Sequence, residues 1–118
     1  MKKLRITIGD PDGNTDTATG LTPDLGNALL DGIRGDRHVQ APQQATTFND
    51  LTETLAQTSH LIQHLENFRK ETIAAADRAG GPHADRKAIG IAAGMPRSRL
   101  YRILDEYGRP RDRKQASE

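Results

Sequence analysis

Arginines are the residues with most chemistry to offer in this chain. On a helical wheel of residues 97–107, drawn at about 100° per residue, Arg97, Ser98, Tyr101, Arg102 and Asp105 cluster on one side, and Arg99 lies on the flank. Leu100, Ile103 and Tyr107 cluster on the other. A guanidinium can donate a bidentate pair of hydrogen bonds to guanine O6 and N7 in the major groove. Serine and tyrosine hydroxyls reach phosphates or bases, and helix N-termini favour phosphate. The polar side therefore has the chemistry of a DNA-reading face, weighed against the commoner fate of an arginine as a solvated surface charge. Arg86 and Lys87, just upstream, are expected to join the same DNA contact. Arg109, Arg111, Arg113 and Lys114 follow as a basic tail broken by Pro110. Such a tail suits the phosphate backbone or a minor groove, or serves as a solubilising end.

Other chemistries fit less well. Asp10, Asp12, Asn14 and Asp16 alternate as in a calcium loop, but Thr15 and Leu21 stand where such a loop needs glycine and glutamate. His60 and His64 share a helical face at i, i+4, with no third ligand supplied by any motif. Ser98 has no paired base, and there is no cysteine to serve as nucleophile, zinc ligand or disulfide partner. No catalytic constellation emerges. The expectation is a protein that is not an enzyme and needs neither cofactor nor metal.

The elements that must position these residues can be read from periodicity. Leu4–Ile8 alternates apolar and polar residues and reads as a short strand, ended by a turn at Asp10-Pro11-Asp12-Gly13. Residues 13–21 form a loop or, through Thr15–Thr19, a weak partner strand. Thr22-Pro23-Asp24 has the pattern of a helix start, with a threonine cap and proline at the first position. Leu25, Ala28, Leu29 and Ile33 follow at helical spacing, and Gly35 stops the helix. Residues 36–46 look like a linker. From Thr47 a longer helix is expected, because Phe48, Leu51, Leu55, Thr58, Ile62 and Leu65 step by alternating threes and fours, the spacing of an a/d seam. It closes at Gly80-Gly81-Pro82. At 1.5 Å per residue it would run about 50 Å, too long to bury its stripe against one small domain. It must break in two or pack against a copy of itself. Phe48, Leu51, Leu55, Ile62 and Leu65 are thus the expected dimer contacts; an intramolecular hairpin with helix 23–34 is the plainer alternative.

Residues 84–107, ADRKAIGIAAGMPRSRLYRILDEY, require two short helices that cross closely. Such a crossing needs a small residue at the approach, a turn residue free to take positive φ, and inward apolar residues on both sides. Gly90 is the small residue and Gly94 the turn. Ile89, Ala93, Met95, Leu100 and Ile103 are the inward set. The segment resembles the helix-turn-helix unit of bacterial and phage DNA-binding proteins in its three-helix form, including regulators and resolvase-like DNA-binding domains. The resemblance covers residues 62–107 only. Many such motifs carry alanine where this chain has Gly90. What the resemblance implies is a recognition helix over 97–107 that enters the major groove.

Composition sets the frame. Of 118 residues, 34% are hydrophobic and 3% aromatic, which points to a thin core. The net charge of +1 hides a segregation. Residues 1–8 hold three bases and no acid, residues 9–68 nine acids against two bases, and residues 69–118 twelve bases against seven acids. A basic C-terminal module aimed at a polyanion is the natural reading. No apolar run approaches the roughly 20 residues needed to span a bilayer, and Met1–Asp10 lacks the features of a secretory signal. A cytoplasmic, nucleoid-associated protein is therefore expected, with no membrane contact.

The expected fold is mainly α: a short N-terminal strand, a long helix and a C-terminal three-helix module. The expected division is 1–46 for dimerisation or partner contact, 47–108 for the long helix and DNA-binding module, and 109–118 for the tail. The expected function is sequence-specific binding of double-stranded DNA by a homodimer reading an inverted repeat, as a transcriptional regulator. Plasmid or phage segregation, replication or recombination accessory roles use the same arrangement. A helical adaptor that binds a protein partner is the competing class; alongside DNA, the acidic N-terminal half could also hold a protein partner.

Overall fold

The structure, a computed structural model, describes residues 1–110. The described chain is mainly helical, with a two-stranded antiparallel sheet and four α-helices. Strand β1 spans Leu4–Gly9 and β2 Thr15–Leu21; helix α1 spans Pro23–Ile33, α2 Phe48–Gly80, α3 Arg86–Ala93 and α4 Arg97–Glu106. A single 3-10 turn, Gly81–His83, separates α2 from α3. Contacts divide the chain into two compact units, Met1–Ile62 and Gln63–Glu118, with the boundary inside α2. None of the described helices is long and apolar enough to cross a membrane.

In the first unit, β1 pairs antiparallel with β2 of its own chain. The hairpin loop is a turn closed by the Gly13 N–H on the Asp10 carbonyl at 3.1 Å, with Gly13 at φ +90°. Asp10 Oδ1 also accepts the N–H groups of Asp12 and Asn14, and its Oδ2 accepts from the Asn14 side chain. Asp10 thus serves the turn, and hydrogen bonding from Asn14 holds its carboxyl below the usual range. Strand β2 is almost wholly exposed and polar. Its alternate threonines are β-branched, and Thr7 and Thr17 hydroxyls meet across the strands at 3.1 Å.

Helix α1 begins where expected, yet Thr22 does not cap it with its side chain. The Thr22 hydroxyl is buried without a hydrogen-bond partner, while the Thr22 N–H donates to Gln57 Oε1. Gln57 Nε2 donates in turn to the Gly20 carbonyl, so one side chain ties α2 to the strand–helix junction. Only Leu25 of the α1 stripe is buried; Ile33 is 82% exposed. Residues 36–46 have no regular structure, as a linker should, but their end is fastened. Asp24 accepts the N–H groups of Gln43, Gln44 and Ala45, which also hold its carboxyl below the usual range.

Helix α2 is unbroken over 33 residues. Its first turn is capped by Thr47, whose hydroxyl accepts the Asp50 N–H. In the second unit, its C-terminal half contributes Ile73, Ala74 and Asp77 to the interior. The core there is Ile73, Met95, Leu100, Ile103 and Leu104, flanked by Ile89, Ala93 and Tyr107. The inward set read from the sequence is all present. Leu104, fully buried, adds to it.

Candidate nucleic-acid interface

Helices α3 and α4 are held at a tight turn. Asp85 caps α3 by accepting the Ala88 N–H, and Gly94 ends it at φ 67°, ψ 36°. That left-handed conformation strains any residue with a Cβ, which is why glycine stands there. Met95 then turns inward and its N–H returns to the Gly90 carbonyl at 3.2 Å. Gly90 is buried at the closest approach of the helices. A Cβ built on it would lie 3.4 Å from Leu100 Cδ2 and 3.6 Å from the Met95 carbonyl oxygen. Arg69, on α2, donates to the Ala93 carbonyl at 3.3 Å and so meets the C-terminal end of α3.

This packing turns one face of α4 outward. Arg97, Ser98, Arg99, Arg102 and Asp105 are exposed, and Tyr101 is half-buried. Lys87 stands exposed on the first turn of α3. Between the two helices lies an open groove of about 820 Å³, lined among others by Lys87, Ile91, Gly94, Arg97 and Tyr101. The Arg97 guanidinium packs on the Tyr101 ring, 5.2 Å from its centroid. No side chain caps α4, whose N-cap is Pro96, so the amides of its first turn carry no such partner. The face thus presents three exposed guanidiniums, a hydroxyl and uncapped helix amides as donors, with Asp105 and Glu106 as exposed acids towards its C-terminal end.

Arg86 belongs elsewhere. It is 7% exposed, and both Nε and Nη2 donate to the Asp77 carboxylate, at 2.9 and 3.1 Å. Nη2 also donates to the Arg109 carbonyl at 2.7 Å, and Arg109 Nε donates to Asp77 Oδ2 at 2.7 Å. One buried carboxylate therefore anchors two guanidiniums and pins the chain that leaves α4. Burial by itself would raise the Asp77 carboxyl; the two guanidiniums outweigh it and hold it below the usual aspartate range. Burial would likewise lower the Arg86 pKa, and Asp77 reverses the sign. The guanidinium of Arg86 stacks on Tyr101 at 5.1 Å from the ring centroid, and its Nη1 is buried without a hydrogen-bond partner. Arg86 is consequently buried and paired with Asp77, and Arg109 is committed on its Nε side. Arg111 and Arg113 lie outside the described residues.

Sequence reasoning missed Asp77, Asp85 and Arg69. Asp85 was legible as an N-cap ahead of a helix. Asp77 was not, because its partners stand 9 and 32 residues away across a helix break.

The expected dimer stripe is solvent-exposed within the chain: Phe48 80%, Leu51 38%, Leu55 64%, Ile62 53% and Leu65 50%. Among the described residues no group of three or more His, Asp or Glu side chains is arranged to hold a metal ion. Compared with protein-family models, with curated proteins and with solved structures, the chain matches none.

Proposed function

We propose that α3, the turn at Gly94 and α4 form a helix-turn-helix, and that the protein binds double-stranded DNA sequence-specifically as a dimeric transcriptional regulator. The observation that carries this reading is the sorting of α4. Leu100, Ile103 and Leu104 are buried, while Arg97, Ser98, Arg99 and Arg102 stand together in solvent. A helix whose N-terminal outward face is rich in hydrogen-bond donors, next to an uncapped N-terminus, suits a major groove rich in acceptors. Arg97 and Arg102 are the base-reading candidates; Ser98, Arg99 and Lys87 suit phosphate contacts, which position without specifying. The exposed α2 stripe supports a dimer, and a two-fold dimer would place two α4 helices on half-sites of an inverted repeat.

The test is selection of bound duplexes from random DNA, followed by titration of the enriched site over a salt series. Enrichment of a two-fold symmetric motif, with log K falling linearly against log salt, is the expected result. Absence of enrichment and a flat salt response would leave α4 as a protein-docking helix. Segregation, replication or recombination accessory roles share the same DNA face and are separated from regulation by where the sites lie in a genome.

A further inference from the structure

We infer that Tyr101 is a positioning residue: its ring, braced by the buried Arg86, aims the Arg97 guanidinium at a base edge. The inference rests on the DNA reading above and adds a residue that sets its specificity. Two observations carry it, both within the unit that holds α3 and α4.

The first is the ring beneath Arg97. Arg97 opens α4 and Tyr101 stands four residues on, so the two side chains rise from one helical face. The Arg97 guanidinium lies over the ring, 5.2 Å from its centroid. Arg99 and Arg102 are exposed on the same helix, and among the described residues neither has such a ring contact. Arg97 is thus set apart from its neighbours before any DNA arrives.

The second is what holds the ring. Arg86 also lies over it, 5.1 Å from the centroid, and is only 7% exposed. Its guanidinium donates twice to the Asp77 carboxylate and once to the Arg109 carbonyl. A ring packed on a mobile surface chain would drift with it, whereas this one packs on a guanidinium held by three hydrogen bonds. Support therefore runs outward from Asp77 to Arg86, to Tyr101 and to Arg97.

The consequence is for base reading. An arginine that pairs bidentately with guanine must point the edge of its planar fork at the base, and a free side chain gives up rotamer freedom to do so. A ring under the guanidinium plane removes part of that loss and limits the directions in which the N–H donors point. Arg102, without a ring, has no such restriction.

The test is a double-mutant cycle on the selected duplex, with Tyr101→Phe, Tyr101→Leu and Arg97→Ala, each first shown to melt as wild type does. Tyr101→Met replaces Tyr101→Leu if leucine prevents folding. Tyr101→Leu should weaken binding about two- to tenfold, the weight of ordering one long side chain on binding. It should relax the base position that Arg97→Ala relaxes and leave the one that Arg102→Ala relaxes. Tyr101→Phe should bind as wild type, and Tyr101→Leu should have no further effect in the Arg97→Ala background. An equal loss in that background, or a loss in Tyr101→Phe matching that of Tyr101→Leu, would overturn the inference, since the tyrosine would then act on its own. Proton NMR of the free protein supplies an arm that needs no DNA. The Arg97 side-chain protons should be shifted upfield by the ring in wild type and Tyr101→Phe, and not in Tyr101→Leu. Unshifted protons in wild type would overturn the stack whether or not DNA binds. Shifted protons in a protein that selects no duplex would instead overturn the DNA reading, and with it the role in base reading, while the stack stands.

Discussion

Asp77 is one carboxylate with two guanidiniums, and its replacement has a consequence that can be stated with its sign. Asp77→Asn leaves Arg86 buried with no counter-charge, and removing one partner of a buried pair costs about 3–5 kcal/mol. In so thin a core we expect the thermal midpoint to collapse, read by circular dichroism. Acid should act on the same pair. The folded Asp77 pKa lies below the ordinary 3.8, so the stability it contributes is fully present above that value and is lost as pH falls through the folded pKa. An acid titration of the Asp77→Asn protein should lack this component; an identical acid profile in both would contradict the role given to Asp77. Tyr101 needs care for a related reason. Its ring packs against Arg86 and Arg97, so Tyr101→Phe, which keeps the ring, separates hydroxyl contacts with DNA from loss of packing.

At the scale of elements, the α3–turn–α4 pair can be probed from both sides. Leu100→Ala and Leu104→Ala each remove a fully buried side chain and should cost about 2–5 kcal/mol in chemical denaturation; wild-type midpoints for both would mean that α4 is packed the other way round. Gly90→Ala should do the opposite. Its Cβ meets Leu100 at ordinary van der Waals distance, and alanine gains up to about 1 kcal/mol of helix propensity over glycine. A loss of stability there would show the helices closer than the structure has them. These two helices and α2 were legible because their apolar spacing is helical and their ends carry Gly94, Pro96 and the Gly80-Gly81-Pro82 break. Strand β2 was only half legible, since its residues are threonines with almost nothing to bury. Leu104 was not legible because the narrow stripe of Leu100, Ile103 and Tyr107 hides the neighbour that tertiary packing buries most. The arginines were harder still. Sequence places Arg86 beside Lys87, but only the Asp77 contact shows that one is buried while the other faces solvent.

For the whole molecule, the proposed reading helix α4 and the proposed dimer stripe of α2 belong to a chain with an acidic first half and a basic second half. Leu55→Asp together with Ile62→Asp should convert dimers to folded monomers, seen by sedimentation. The unit-two core of Ile73, Leu100 and Leu104 contains neither position, so its fold should survive. DNA affinity should fall with the dimer, because each half-site then binds alone.

The measurement that tests the central claim most directly is binding of the selected duplex by wild-type, Arg97→Ala, Tyr101→Phe and Arg102→Ala proteins, each first shown to melt as wild type does. If α4 reads DNA, Arg102→Ala should lose about 1–3 kcal/mol on the specific site and relax the preference at one base position per half-site. Unchanged affinity and unchanged base preference in all three folded variants would contradict the account.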